Sequence, residues 1–158
     1  MNFTFEIDPS SLSTAQQKVM NFHTKSIITN PRVAKAMRIV KAEALKHTQE
    51  VLDMYGDGEQ PPVELYISFK FPYPKSLTKR QREKCYEGEP VTSARYGDLD
   101  NRAKAFIDAL VLARWIKDDR YISNLILAKV YTIGTPRISV SIRSAYSPAQ
   151  VVYHTTLP

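Results

Sequence analysis

Between Pro61-Pro62 and Pro72, Val63, Leu65, Ile67, Phe69 and Phe71 alternate with Glu64, Tyr66, Ser68 and Lys70. A period of two over nine residues is a strand with one apolar face, and that face needs a layer to cover it. A chain built around such a strand folds as a sheet with something packed on one side. Two helical patterns flank it. Asn30-Pro31 has the chemistry of a helix start, because Asn caps and Pro fits the first helical position. Val33, Met37, Val40 and Ala44 follow at helical spacing, with Leu45 broadening the stripe, so one helix is expected over 31–53. Gly56-Asp57-Gly58 ends it. From Asn101 the spacing is helical again, with Ala103, Phe106, Ile107, Leu110 and Arg114 on one side.

The remaining signals are strands and turns. Phe3, Phe5 and Ile7 alternate in a first strand over 2–7, and Asp8-Pro9-Ser10-Ser11 breaks it. Residues 13–29 are ambiguous, with Val19, Phe22, Ile27 and Ile28 compatible with a loose hairpin. Tyr121 to Thr132 reads as a strand, Gly134-Thr135-Pro136 as a turn, and Ile138, Val140 and Ile142 as a last strand. The short turn predicts an antiparallel final pair, and hence a mixed sheet. The fold class is α/β, a mixed sheet packed with two main helices, in one domain over 1–158. A basic loop spans 72–97, with Lys79 to Glu87 open to a short helical turn, and a peripheral tail spans 145–158. A chain of 158 residues buries a core without disulfides, and Cys85, the single cysteine, rules out an internal one. No apolar run reaches the roughly 18 residues that span a bilayer. No basic stretch leads into an apolar run at the N-terminus, which argues against a secretory signal. The expectation is a soluble, cytoplasmic protein.

The net charge is +6, from 22 basic and 16 acidic residues. Six bases crowd one stretch: Lys70, Lys75, Lys79, Arg80, Arg82 and Lys84, with Glu83 the only acid among them. Two readings stand, a solvated surface loop and a phosphate-contacting flap. Lys25, Arg32, Lys35 and Arg38 are candidate additions to the second. Phe71, Tyr73 and Tyr86 are interleaved with these bases, as core and surface residues or as a wedge between unstacked bases. His23, His47 and His154 have no metal-ligand spacing.

The chemistry concentrates in Gly97-Asp98-Leu99-Asp100-Asn101-Arg102-Ala103-Lys104 and in Asp118-Asp119. Asp100 is a plausible N-cap for a helix starting near Asn101. In an extended approach, Asp98 and Asp100 would project together. Two adjacent carboxylates repel unless a cation or solvent offsets them. Lys104 follows Asp100 by four residues, so it is either half of a helical ion pair or a cation aimed at a phosphate. Asp108 continues that face. A third carboxylate from the 118–119 turn would complete a site for a hard cation such as Mg²⁺, which takes oxygen ligands and keeps waters.

Asp-Leu-Asp-Asn-x-x-Lys-x-x-x-Asp-Ala-Leu from Asp98 to Leu110, with Trp115-x-x-Asp118-Asp119, resembles the RusA family of Holliday junction resolvases. Weaker signals extend to the strand ending at Lys129 and to Phe71-Pro72-Tyr73-Pro74-Lys75. The resemblance implies a homodimeric endodeoxyribonuclease that uses Mg²⁺, with Mn²⁺ as a substitute. Its partner is branched DNA, above all the four-way junction, resolved by paired symmetric nicks. Such genes often travel with phages and prophages. The resemblance carries the metal-holding carboxylates to Asp98, Asp100 and Asp119, with Asp118 a further candidate, and the essential lysine to Lys104. The chain departs from the family in two places. The segment from Asp8 to Gln17 has no base, and Tyr121 stands where Gln is common.

Overall fold

The computed structural model describes residues 1–13, 18–21 and 23–145, apart from the side chains of Lys18 and Ala94. The expected tail at 145–158, Phe22 and His154 therefore fall wholly or almost wholly outside the described residues.

Six strands and four helices are described. They are β1 (Asn2–Phe5), β2 (Lys18–Asn21), β3 (Ser26–Thr29), α1 (Pro31–Leu45), α2 (Thr48–Tyr55), β4 (Val63–Pro72), α3 (Lys79–Arg82), α4 (Leu99–Leu112), β5 (Ile122–Thr132) and β6 (Arg137–Ser144). Four strands form one sheet in the order β1-β6-β4-β5, and β2 and β3 form a separate antiparallel hairpin. The first strand is shorter than its alternation suggests, but Ile7 beyond its end is buried with Phe3 and Phe5.

The strand with the clearest pattern holds the centre. β4 pairs parallel with β5 on one side and antiparallel with β6 on the other. This corrects the expected final hairpin. β5 and β6 run in opposite directions, but β4 lies between them, and residues 133–136 carry the chain past its end. The physical reason is burial. Val63, Leu65, Ile67, Phe69 and Phe71 are all buried, so β4 gains most from the middle position. The parallel pair requires a crossover, and α4 lies within it.

Phe5 and Phe69 both meet Phe106 of α4, with ring centroids 5.5 and 5.8 Å apart. Trp115 packs against Phe3 and Phe5 and is fully buried. Asn30 caps α1 as its sequence implies, accepting the Arg32 amide at 3.0 Å.

The long helix expected over 31–53 is two helices. The Trp115 indole N–H donates to the Ala44 carbonyl at 2.8 Å, and the His47 amide takes the same oxygen at 3.0 Å. The Thr48 hydroxyl bridges Ala44 and Ala113 carbonyls. A residue 71 positions away thus helps break the helical ladder at Ala44. At the other end of the core, α4 stops at Leu112. Arg114 adopts φ 63° and is exposed, so it leaves the apolar side to which its spacing assigned it. The Trp115 amide then closes the turn on the Leu110 carbonyl at 3.0 Å.

Within residues 72–97 the short helical turn open to residues 79–87 is α3, and the rest is tied to the sheet more closely than the lapse in periodicity suggests. Thr78 and Gln81 form a capping box for α3. Gly88 and Val91 donate amides to the Tyr131 and Lys129 carbonyls, and Tyr131 returns one to Glu89. This segment therefore covers part of the β5 edge. Tyr73 stacks on Tyr131 at 4.4 Å, and its hydroxyl reaches the Glu89 carboxylate and the Tyr86 carbonyl.

Candidate active site

The approach to α4 is held from several directions. Tyr96 is buried, packs tilted against Phe71 with ring centroids 4.4 Å apart and donates its hydroxyl to the Pro72 carbonyl at 2.8 Å. Gly97 takes φ 66°, a left-handed conformation open to glycine without strain. The Lys129 ammonium binds the Gly97 carbonyl at 3.0 Å. Arg102 is 3% exposed and donates to the Pro9, Leu12 and Tyr96 carbonyls. Its guanidinium also lies 5.1 Å from the Phe71 ring centroid. Burial pushes its pKa down to about 10, Asp8 opposes that shift, and the cation persists at neutral pH.

These restraints deliver Asp98 to the mouth of α4 with extended backbone, and Asp98 is the N-cap. The expected cap was Asp100, with an extended run carrying both carboxylates. The helix begins two residues earlier, at Leu99, which packs against the core. Asp100 consequently stands in the first helical turn, and the two carboxylates do not share a strand face. The Asp98 side chain makes no capping hydrogen bond.

Below this mouth lies a cleft of about 560 Å³. One rim is the face of α4 that carries Asp100, Lys104 and Asp108. The opposite rim is Asp119 and Arg120, and the apolar wall includes Ile107, Ile122, Leu125 and Leu127. Asp100, Lys104 and Asp119 are exposed, and none of their side chains makes a hydrogen bond or ion pair among the described residues. The helical ion pair open to Lys104 has therefore not formed, and its ammonium is not clamped between Asp100 and Asp108.

Asp118 is used differently. Its carboxylate caps the short 3₁₀ turn at Asp119–Tyr121, accepting the Arg120 amide at 3.1 Å, and faces the Arg120 guanidinium at 3.6 Å. That turn presents Asp119 to the cleft.

Among the described residues, no group of three or more His, Cys, Asp or Glu is gathered tightly enough to hold a metal alone. Asp98 is not among the residues lining the cleft. The donor chemistry still fits a hard divalent cation. The cleft offers Asp100 and Asp119 without His or Cys, and Mg²⁺ is usually held by one or two carboxylates together with waters and substrate phosphates.

The six bases of the 70–84 stretch divide. Lys70 faces Glu87 at 3.5 Å, and Arg82 donates to the Leu77 and Lys75 carbonyls, so both shape the loop. Lys75, Lys79, Arg80 and Lys84 are exposed. Phe71 is core, Tyr73 is stacked within the protein, and Tyr86 is the exposed aromatic of the three. Sequence reasoning missed Arg102, a charged residue next to the apolar stripe of α4. It noticed Lys129 only as the end of a strand.

A family model described as Endodeoxyribonuclease RusA matches residues 8–143, and the chain belongs to that family. A search of curated proteins finds no match.

Proposed function

As a member of the RusA endodeoxyribonuclease family, the chain is a crossover junction endodeoxyribonuclease acting on branched DNA, and we propose that it resolves four-way junctions by paired, symmetric nicks as a Mg²⁺-dependent homodimer. The observation that carries this reading is one cleft that receives Asp100 and Lys104 from α4 and Asp119 from a turn after it.

Asp98, Asp100 and Asp119 are the residues that would hold the ion, with Mn²⁺ able to replace Mg²⁺. When bound, the cation supplies water activation and charge neutralisation at the phosphate. Lys104 contributes a preorganised ammonium where negative charge grows during phosphodiester hydrolysis. The absence of an ion pair on Lys104 among the described residues supports that role, since a lysine held by Asp100 or Asp108 would have to be released first. Asp118 supports Asp119 by shaping its turn.

Dimerisation has its own support. Leu125 and Ile126 on β5 are 40% and 51% exposed, and residues 122–127 pair with no strand on their outer side among the described residues. An uncovered apolar edge invites a partner. Two copies related by a two-fold axis would present two sites to a junction of matching symmetry. No helix among the described residues is long and apolar enough to cross a membrane. We place the enzyme, a single domain over 1–158, in the cytoplasm.

The test is cleavage of a mobile four-way junction with Mg²⁺, mapping all four strands, beside flap, three-way and linear substrates. Symmetric nicks in opposing strands support resolution. Preferred cleavage of flaps, or nicks scattered over linear duplex, overturns it.

A further inference from the structure

Three surface clefts share Arg95. The first, about 520 Å³, lies between the Ser10–Ser13 segment and the first turns of α1, where Arg32 and Lys35 line it. The second joins Arg95 to Ser10, Tyr96 and Pro72. The third continues from Pro72 and Tyr96 to Lys75 and Ser76. Ser10 and Arg102 belong to both the first and second, and Pro72 and Tyr96 to both the second and third. The clefts therefore adjoin one another in a row from the start of α1 to the basic loop, and together they make up a groove.

Its charge has one sign. Arg32, Lys35, Arg95 and Lys75 line it, and no Asp or Glu does among the described residues. None of these four cations makes an ion pair among the described residues. Asp8, the nearest acid in the chain to the Ser10 turn, is engaged by the Ser10 amide at 2.8 Å and the Ser10 hydroxyl. The wall also contains the Arg102 guanidinium, whose Nε is buried without a hydrogen-bond partner. Cations left unpaired along a track suit a chain of phosphates.

We propose that this groove holds the sugar–phosphate backbone of one DNA strand of a junction arm, with Arg95 as its central contact. The proposal rests on the endonuclease reading and adds a path by which DNA reaches the site. Arg95 precedes Asp98 by three residues, so their Cα atoms lie within about 11 Å. A strand seated on Arg95 is thereby led toward the mouth of α4. The groove also offers a DNA surface for a chain without bases between Asp8 and Gln17. In their place, Arg32, Lys35 and Arg95 come from other elements.

The test is fluorescence anisotropy of the full chain with a labelled four-way junction and a matched linear duplex, in EDTA, across a salt series. Variants are Arg95→Gln, Arg95→Lys, the double variant Arg32→Gln/Lys35→Gln, and Lys46→Gln as a charge-matched control outside the groove. Circular dichroism checks that each is folded. Each phosphate contact contributes about −0.9 to the log–log salt slope on duplex DNA. Arg95→Gln should weaken binding about tenfold and flatten the slope by about one, and the double variant should flatten it by about two. Arg95→Lys should recover most of the affinity. If Arg95→Gln and the double variant both match Lys46→Gln in affinity and slope, the groove is not the DNA path, and the resolvase reading is untouched. If the wild type nicks no branched substrate while Arg95→Gln still weakens duplex binding, the groove stands and the resolvase reading falls. If the wild type binds neither DNA, both fall.

Discussion

Lys129 on β5 donates its ammonium to the carbonyl oxygen of Gly97, one residue before Asp98 caps α4. The bond ties the sheet to the mouth of the candidate active site. A lysine on a strand thereby holds the backbone just ahead of the helix start. Replacing Lys129 with Met should leave junction binding intact and lower nicking on the order of tenfold to a hundredfold, because small misplacements of reacting groups carry costs of that size. The Mg²⁺ concentration for half-maximal nicking should rise. Wild-type nicking at wild-type Mg²⁺ would show that Gly97 needs no such anchor.

Asp100 and Asp119 reach one cleft, whereas Asp118 caps the turn beside it. Asp100→Asn and Asp119→Asn should each reduce nicking roughly 10²–10³-fold while keeping junction binding, as loss of a charge at the reacting phosphate does. Asp118→Asn should keep most activity, because Asn retains an oxygen that caps. Single-turnover cleavage with Mg²⁺ distinguishes the three. Equal losses in all of them would assign Asp118 the same role as its neighbours.

Arg102 holds three carbonyls from two separate segments, at Pro9, Leu12 and Tyr96. Arg102→Met would leave these acceptors without their charged donor in a buried place. Hydrogen bonds to a charged group contribute about 1.5–3 kcal/mol each in favourable cases, and burial of the cation itself offsets part of the sum. The expected loss is about 3 kcal/mol in urea unfolding. A loss below about 0.5 kcal/mol would mean that water replaces the guanidinium at little cost.

Glu87 gathers the ends of the basic loop, β4, β5 and β6. Desolvation pushes its carboxyl up, but the Thr132 hydroxyl, the Ile133 amide and the Lys70 and Arg137 charges outweigh that and hold it below its ordinary value. A carboxylate with a lowered folded pKa stabilises fully above the unfolded value and loses that contribution as pH falls through the folded one. The loop should therefore loosen only at acid pH. The Ile133 amide resonance, followed by NMR on acidification, should titrate with a midpoint below that of an ordinary glutamate, and Glu87→Gln should abolish the transition. A midpoint at or above the ordinary value would contradict these hydrogen bonds.

Local chemistry made much of this legible in the sequence. The alternation from Val63 to Phe71 marks a strand because a pleated backbone sends successive side chains to opposite faces. Asn30-Pro31 marks a helix start because cap and ring constraints act within a few residues. Spacing also singled out Asp98, Asp100 and Lys104 and left the third carboxylate open between Asp118 and Asp119, and the family resemblance named Asp119. The break at Ala44 was hidden, since it depends on an indole N–H from Trp115. The central place of β4 was hidden too, because the 133–136 turn looks the same whether it joins neighbours or steps over a strand.

By itself, the order of residues settled which segments could be helix or strand and which charged groups were candidates for phosphate chemistry, because periodicity, capping and turn preferences operate over short range. Only the tertiary structure decided that Asp119 shares a cleft with Asp100 while Asp118 is spent on a turn. It alone made Arg102 and Lys129 positioning residues, and placed Arg95 in a groove with Arg32. Those outcomes follow from burial and hydrogen-bond satisfaction between residues far apart in the chain, which no local pattern encodes.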